Sequence, residues 1–134
     1  IYNLSTLWIK GPVYLDLTKI RLPMSAFSSI THRLSGMYVF LSHYPVMLYL
    51  IYCSTSSKVN FDRLIIDMSL VSFKSIFIYI SLLIFWYHIL TGVRHLIMDF
   101  LHIGESLHGS NYSAIFVLVF WMITSISFLI FIYI

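Results

Sequence analysis

The chain has 134 residues, of which 60% are hydrophobic and only 10% are charged. Soluble domains carry about 25% charged residues, so this composition excludes a soluble globular protein and predicts an all-α membrane protein. Each transmembrane helix needs about 20 residues, which leaves room for about three. The net charge of +3 comes from few, dispersed basic residues; we interpret these as topology signals, expect contact with membrane lipid and expect no nucleic-acid partner.

The first apolar run, MYVFLSHYPVMLYLIYC, covers residues 37–53 and is only 17 residues long. Because this is short for a span, we extend the predicted helix back to Ser25, which follows Pro23 and is predicted to be the N-cap. The first span is therefore placed at about residues 25–53. Pro45 removes a backbone donor and is expected to kink this helix, freeing a carbonyl near Phe40 or Leu41.

The second and third spans are predicted at about residues 67–101 and 113–134. The second begins near Asp67, is apolar from Ser75 to Leu90 and continues through a polar-striped segment. At about 35 residues it is expected to protrude from a hydrocarbon layer of about 30 Å. The third contains no charged residue. The whole chain, residues 1–134, is thus predicted to be one transmembrane domain.

Basic residues predict the orientation of the spans. The first segment carries Lys10, Lys19, Arg21 and Arg33 against Asp16 alone, whereas acidic residues balance the basic ones in the loop 54–74. The positive-inside rule places the N-terminus on the cytoplasmic or matrix side. The start of the first span and the end of the second then meet at the same membrane face.

Ionisable residues lie along one side of each of the first two predicted helices. Successive residues of a helix are about 100° apart. On the second helix, five residues therefore lie within about 40° of one direction: His88, Gly92, His95, Asp99 and His102. On the first helix a similar stripe contains Ser25, Ser29, His32, Arg33 and Gly36, and His43 repeats its direction. Such groups destabilise a span unless they are paired or face a cavity, so both stripes predict a functional interface.

His88 lies six residues deeper than Arg94, about 9 Å along the helix. Gly92 is one turn away and is predicted to leave a slot for a flat ligand. A haem b suits this pattern, since its iron takes an imidazole, its macrocycle takes an apolar slot and its propionates take basic groups. Low-spin haem takes two axial ligands; a histidine of a partner subunit is favoured over His43 as the second.

Two motifs resemble a known family. RLPMSAFSSITHRLSGM, followed about 50 residues later by YHILTGVRHLIMDF, is similar to the cytochrome b membrane subunit of succinate dehydrogenase, respiratory complex II, in its bacterial form. The resemblance includes the lead-in PVYLDL at residues 12–17 and covers nearly the whole chain. The sequence differs at Gly11, where the family usually has arginine before the proline.

The resemblance implies residue roles. His88 would be an axial ligand of a haem b shared with a second membrane anchor subunit. His32 and Arg33 match positions near the haem propionates. Ser29 and Arg33 match ubiquinone-site residues, and Asp99 matches an acidic residue near the quinone pocket.

The resemblance also implies partners and a location. This chain would join a multi-subunit helix bundle with a flavoprotein subunit, an iron–sulfur subunit and the second anchor, and would act in an enzyme only as part of that complex. Succinate oxidised on the flavoprotein would supply electrons to ubiquinone. The location implied is an inner membrane, with the bacterial cell membrane favoured and the mitochondrial inner membrane as the alternative, and the protein would be multi-pass.

The residues also suggest a mechanism and leave two alternatives. Arg33 and Ser29 can stabilise negative charge on a reduced quinone, and His32, His95 or Asp99 can relay protons to it. One alternative is a stand-alone or homodimeric b-type cytochrome that uses His43 with His88. The other is a haem-free subunit in which the stripe relays protons or only packs.

Overall fold

The computed structural model describes residues 21–134, and every regular element in this part of the chain is helical. The elements are α1 (Met24–Tyr38), a π-helical turn (Val39–His43), α2 (Tyr44–Thr55), α3 (Lys58–Ser69), α4 (Phe73–Leu101) and α5 (Leu107–Tyr133). The first three form one continuous helix. Within residues 21–134, three helices are long and apolar enough to cross a membrane: Met24–Thr55, Phe73–Leu101 and Leu107–Tyr133.

The described residues thus confirm a helical membrane protein with three candidate spans. The first two contain 32 and 29 residues, about 48 and 43 Å of helix, so both exceed a hydrocarbon layer of about 30 Å. Lys10, Lys19, Asp16 and the PVYLDL segment, on which part of the orientation and resemblance arguments rest, lie outside the described residues.

The first span does extend N-terminally beyond its apolar run, and its helix begins at Met24. The N-cap prediction for Ser25 was wrong, because Pro23 holds that position without a side-chain cap. The backbone N–H of Ser25 instead donates to Oδ1 of Asn111 in α5, at 3.0 Å. A neighbouring helix therefore satisfies one of the unpaired donors at this helix start and ties α1 to α5.

The disturbance expected at Pro45 takes the form of the π-helical turn. The N–H of Tyr44 donates to the carbonyl of Val39, five residues back, and Pro45 lies in the first turn of α2. Such a turn accommodates an extra residue without breaking the helix. His43 is the last residue of this turn.

The second span begins at Phe73, so the predicted start near Asp67 was wrong. Leu70 is extended, and Ser72 caps α4. The hydroxyl of Ser72 accepts from the Ser75 N–H, and the hydroxyl of Ser75 accepts from the Ser72 N–H, at 3.2 and 2.9 Å. This reciprocal cap starts a new helix and leaves Asp67 in α3.

The third helix starts at Leu107, six residues before the apolar run, with Ser106 as its N-cap. The hydroxyl of Ser106 accepts from the N–H of Gly109. The added turns are polar, so a search for apolar runs misses them.

Contacts between α1, α4 and α5 form the centre of the described structure, since each of these helices packs against the other two. The buried side chains there are mostly small or hydroxylated: Ser28, Ser35, Ser75, Ser81, Thr91, Ala114 and Ser125. Most of the large apolar side chains point outward. This distribution is typical of membrane helices, which approach closely through small residues.

Candidate functional site

Two imidazole rings meet where α1 crosses α4. His32 and His88 stack with their planes 2° apart and their ring centroids 4.3 Å apart. A Cβ added to Gly36 would lie 3.1 Å from Cε1 of His88, and one added to Gly92 would lie 3.2 Å from Cε1 of His32. Each ring therefore occupies space left by a glycine of the opposite helix.

The slot beside Gly92 was predicted to receive a flat ligand. In the structure the imidazole of His32 fills it. The two helices approach so closely at their glycines that the side chain of His32, from the neighbouring helix, occupies this space. Gly92 therefore acts here as a helix-packing residue.

Two hydroxyl groups hold the rings. Nδ1 of His88 lies 3.0 Å from Oγ of Ser35, and Nδ1 of His32 lies 2.7 Å from Oγ1 of Thr91. Each hydroxyl residue directly precedes the glycine that receives the ring. We call this arrangement the histidine clasp, formed by His32, Ser35, Gly36, His88, Thr91 and Gly92.

The clasp is reciprocal because both helices carry the same short pattern, H-x-x-(S/T)-G. It reads HRLSG in α1 and HILTG in α4. The histidines and glycines stand out in the sequence, but the role of Ser35 and Thr91 was not predicted from it. The repetition of this five-residue pattern was the signal that could have revealed it.

The hydroxyl contacts determine which ring nitrogen carries the proton. The Ser35 hydroxyl donates to the carbonyl of His32 at 2.7 Å, and the Thr91 hydroxyl donates to the carbonyl of Tyr87 at 2.8 Å. Since a hydroxyl has one proton, all of these contacts can be hydrogen bonds together only if each Nδ1–H donates. In the neutral form of each ring, Nε2 of His32 and of His88 is then unprotonated.

Neither Nε2 atom has a hydrogen-bond partner among residues 21–134, and neither is one of the enclosed, unpaired atoms of this part of the chain. Both histidines are half-buried. The clasp therefore presents two imidazole lone pairs at the surface of the helix bundle.

Two of the other predicted site residues, Arg33 and Asp99, lie near His95. Its ring centroid is 5.3 Å from that of His32, and Arg33 and Asp99 are both within electrostatic range of it. Arg33 and Asp99 are exposed, and Ser29 is half-buried about one turn before Arg33. The expected meeting of the start of the first span with the end of the second is thus confirmed.

Two basic residues of the striped segment do not join this cluster. Arg94 is 5% exposed and turns to α5, where it donates to the hydroxyl of Ser113 and the carbonyl of Ser110 at 2.9 and 2.8 Å. His102 ends α4 in the left-handed conformation, is exposed, and contacts Glu105. The expectation that His102 continues the stripe was wrong, because the helix stops at Leu101.

His43 forms a separate site deeper in the first span. It is 4% exposed, its Nδ1 lies 2.8 Å from the hydroxyl of Ser81, and its ring stacks on Phe85. Ser81 and His88 are seven residues apart on α4, about 10 Å along the helix. His43 and His88 therefore do not converge on one iron within this chain, which argues against the single-chain form of the cytochrome alternative.

Comparison with known proteins agrees with the motifs. Residues 9–128 match the family described as the succinate dehydrogenase/fumarate reductase transmembrane subunit. This chain belongs to that family.

One relative of this chain is the succinate dehydrogenase cytochrome b556 subunit of Coxiella burnetii, which is 38% identical over 110 residues, or 82% of this chain and 86% of that protein. The resemblance drawn from the sequence motifs is thus confirmed. Both motifs, and with them the histidine clasp, fall inside the region that matches the succinate dehydrogenase/fumarate reductase transmembrane subunit family.

Proposed function

We propose that this chain is the haem b-binding membrane anchor subunit of a succinate dehydrogenase and helps to form the site at which ubiquinone is reduced. The observation that carries the proposal is the contact between Nδ1 of His88 and the Ser35 hydroxyl, which leaves Nε2 of the neutral ring unprotonated and without a partner among residues 21–134. Membership of the transmembrane subunit family supports the assignment, as does the name of the Coxiella burnetii relative.

The residues of the clasp fit a haem. A histidine that ligates a metal through one nitrogen almost always donates its other N–H to a fixed partner, and Ser35 supplies that partner to His88. The free Nε2 belongs to a half-buried side chain rather than to a closed cavity of this chain. An open position of this kind suits a haem shared with a second membrane anchor subunit. When bound, the haem supplies one-electron redox chemistry.

Basic groups for the haem propionates lie close to the same ring. His32 stacks on His88, and the exposed guanidinium of Arg33 follows it on α1. A guanidinium binds carboxylates in a fixed, two-pronged geometry. We assign Arg33 to this role together with the protonated form of His32, whose Nε2–H can donate to a carboxylate.

We place the quinone site at the end of the bundle where α1 carries Ser29 and Arg33 and α4 carries His95 and Asp99. Reduction of a quinone to a quinol builds negative charge on the ring oxygens, and a guanidinium with a hydroxyl donor stabilises that charge. His95 lies within electrostatic range of both Arg33 and Asp99. Imidazole and carboxylate groups at this position can deliver the two protons that the quinol needs.

The remaining parts of the enzyme belong to other subunits. This chain has a single cysteine, and iron–sulfur clusters are normally held by several cysteine thiolates. Succinate oxidation is therefore assigned to a flavoprotein subunit and electron delivery to an iron–sulfur subunit.

We further propose that the N-terminus faces the inside of a bacterial inner membrane. The excess of basic residues in the first segment supports this orientation. A reporter fused after Ile134 is then expected on the periplasmic side. Detection of the reporter on the cytoplasmic side would overturn the orientation.

Purification of the assembly through a tag on this chain tests the proposed function. We expect a flavoprotein, an iron–sulfur protein and a second membrane polypeptide to copurify, with haem b and with electron transfer from succinate to ubiquinone. Removal of the second membrane polypeptide should release the haem. Haem that stays on this chain alone would favour the stand-alone cytochrome, and a complex without haem would favour the structural or proton-relay alternative.

A further inference from the structure

We propose that Ser35 is a positioning residue that sets the tautomer of His88 and lowers the reduction potential of the haem bound to it. This inference rests on the proposed function. The geometry that supports it is the one-proton constraint at the Ser35 hydroxyl, which contacts the carbonyl of His32 and Nδ1 of His88 at once.

Because Ser35 is buried, its hydroxyl determines which nitrogen of the His88 ring carries the proton. Ser35 is 6% exposed, so water has little access to replace its hydroxyl if it is lost. Its proton is directed to the carbonyl of His32, at 2.7 Å. The oxygen is therefore an acceptor for the Nδ1–H of His88, and the proton is kept away from Nε2.

The consequence for a ligand is electronic as well as geometric. A hydrogen bond from Nδ1–H fixes the orientation of a ligating imidazole and raises the basicity of its other nitrogen. A more basic ligand stabilises ferric over ferrous iron. The Ser35 contact is therefore expected to lower the haem potential, and its loss is expected to raise it.

Thr91 provides a matched control in the same structure. Its hydroxyl makes the equivalent contact with Nδ1 of His32 and is 1% exposed. The two hydroxyls differ in which histidine they hold. Only His88 is assigned as the axial ligand, so only the Ser35 contact should affect the iron directly.

The test is a redox titration of the haem in the assembled complex, with the absorption spectrum followed throughout. In Ser35→Ala and Ser35→Cys, which remove or weaken the acceptor, we expect a midpoint potential above that of the unmodified complex. In Ser35→Thr, which keeps the hydroxyl, we expect the unmodified potential, and in Thr91→Val, which leaves the contact of His88 intact, we expect a smaller change than in Ser35→Ala. Loss of haem from the Ala and Cys variants alone also supports the inference.

Two results would overturn it. One is an unchanged potential in both Ser35→Ala and Ser35→Cys. The other is an equal change in Thr91→Val, which would trace the effect to helix packing. A His88→Leu complex distinguishes these failures from failure of the proposed function: if it keeps a bis-imidazole haem spectrum, the ligand assignment itself is wrong.

Discussion

Helix α4 presents chemically different faces to its two neighbours. Toward α5, most of its polar contacts are paired: the indole N–H of Trp121 donates to the carbonyl of Leu83, and the hydroxyl of Tyr79 donates to the carbonyl of Ser125, at 3.0 and 2.8 Å. Toward α1, His88 and its partner His32 use one ring nitrogen each within the bundle. Their other nitrogens have no partner among the described residues.

The difference distinguishes the face of a membrane helix that serves packing from the face that can bind a ligand. An unpaired polar group within a span costs free energy, so polar groups that serve only packing tend to pair completely. The α5 side follows this rule apart from two enclosed atoms, Nη1 of Arg94 and Oγ of Ser125, that have no partner within residues 21–134. The α1 side leaves accessible lone pairs, and this is the side on which we place haem and quinone.

Replacement of Arg33 should produce the largest functional loss. Arg33→Leu removes a full positive charge from the α1 side, and we expect ubiquinone reduction to fall about 100-fold. Electron transfer from succinate to a water-soluble dye, which is upstream of the membrane, should be retained. Arg63→Leu, on the exposed surface of α3, is the matched control. Equal losses with dye and quinone would indicate failed assembly, and full quinone activity would remove Arg33 from the site.

Adding a methyl group inside the histidine clasp should have the next largest effect. Gly36→Ala places a Cβ 3.1 Å from the ring of His88, and overpacking of this kind typically costs about 1 to 3 kcal/mol. We expect a lower unfolding temperature of the complex and a changed haem spectrum. Gly92→Ala presses instead on His32 and should destabilise the complex with a smaller spectral change. Equal spectral changes in both variants would argue against the distinct role of His88.

Removal of the Ser29 hydroxyl should have a smaller effect on quinone reduction. One such donor in a dry site is worth a factor of about 100 to 1000, but Ser29 is only half-buried, so we expect about a tenfold loss in Ser29→Ala. Ser54→Ala, near the other end of the same continuous helix, should leave the rate unchanged. A Ser29→Ala complex with the rate of the Ser54→Ala control would exclude Ser29 from the quinone site.

A substitution at the contact between α4 and α5 should have the smallest effect. Trp121→Phe removes the hydrogen bond to the carbonyl of Leu83, and such bonds between membrane helices average about 0.6 kcal/mol. We expect a small decrease in thermal stability, with haem spectrum and quinone reduction unchanged. A spectral change as large as that of Gly36→Ala would mean that the two faces of α4 are not independent.

The sequence was sufficient to predict three spans, the polar stripes and the antiparallel meeting of the first two helices. It was not sufficient for the register between them. A helical wheel gives the direction of His32 and His88 on their own helices, whereas their stacking depends on how closely Gly36 and Gly92 let the helices approach.

The sequence also did not predict the helix caps, or which neighbouring helix a given side chain contacts. An apolar run does not reveal the reciprocal cap that starts α4 at Ser72, nor the polar first turns of α5. Arg94 directly precedes His95 in the chain, yet it turns to Ser110 and Ser113 on α5. The direction in which a side chain points from its own helix does not determine which neighbouring helix it contacts.

The central claim is that the open nitrogen of His88, rather than the buried ring of His43, holds the haem iron. The most direct measurement is the reduced-minus-oxidised absorption spectrum of His88→Leu and His43→Leu complexes, each checked for assembly by succinate oxidation with a dye. We expect His88→Leu to lose the bis-imidazole spectrum and His43→Leu to keep it. An unchanged bis-imidazole spectrum in the assembled His88→Leu complex would contradict the account.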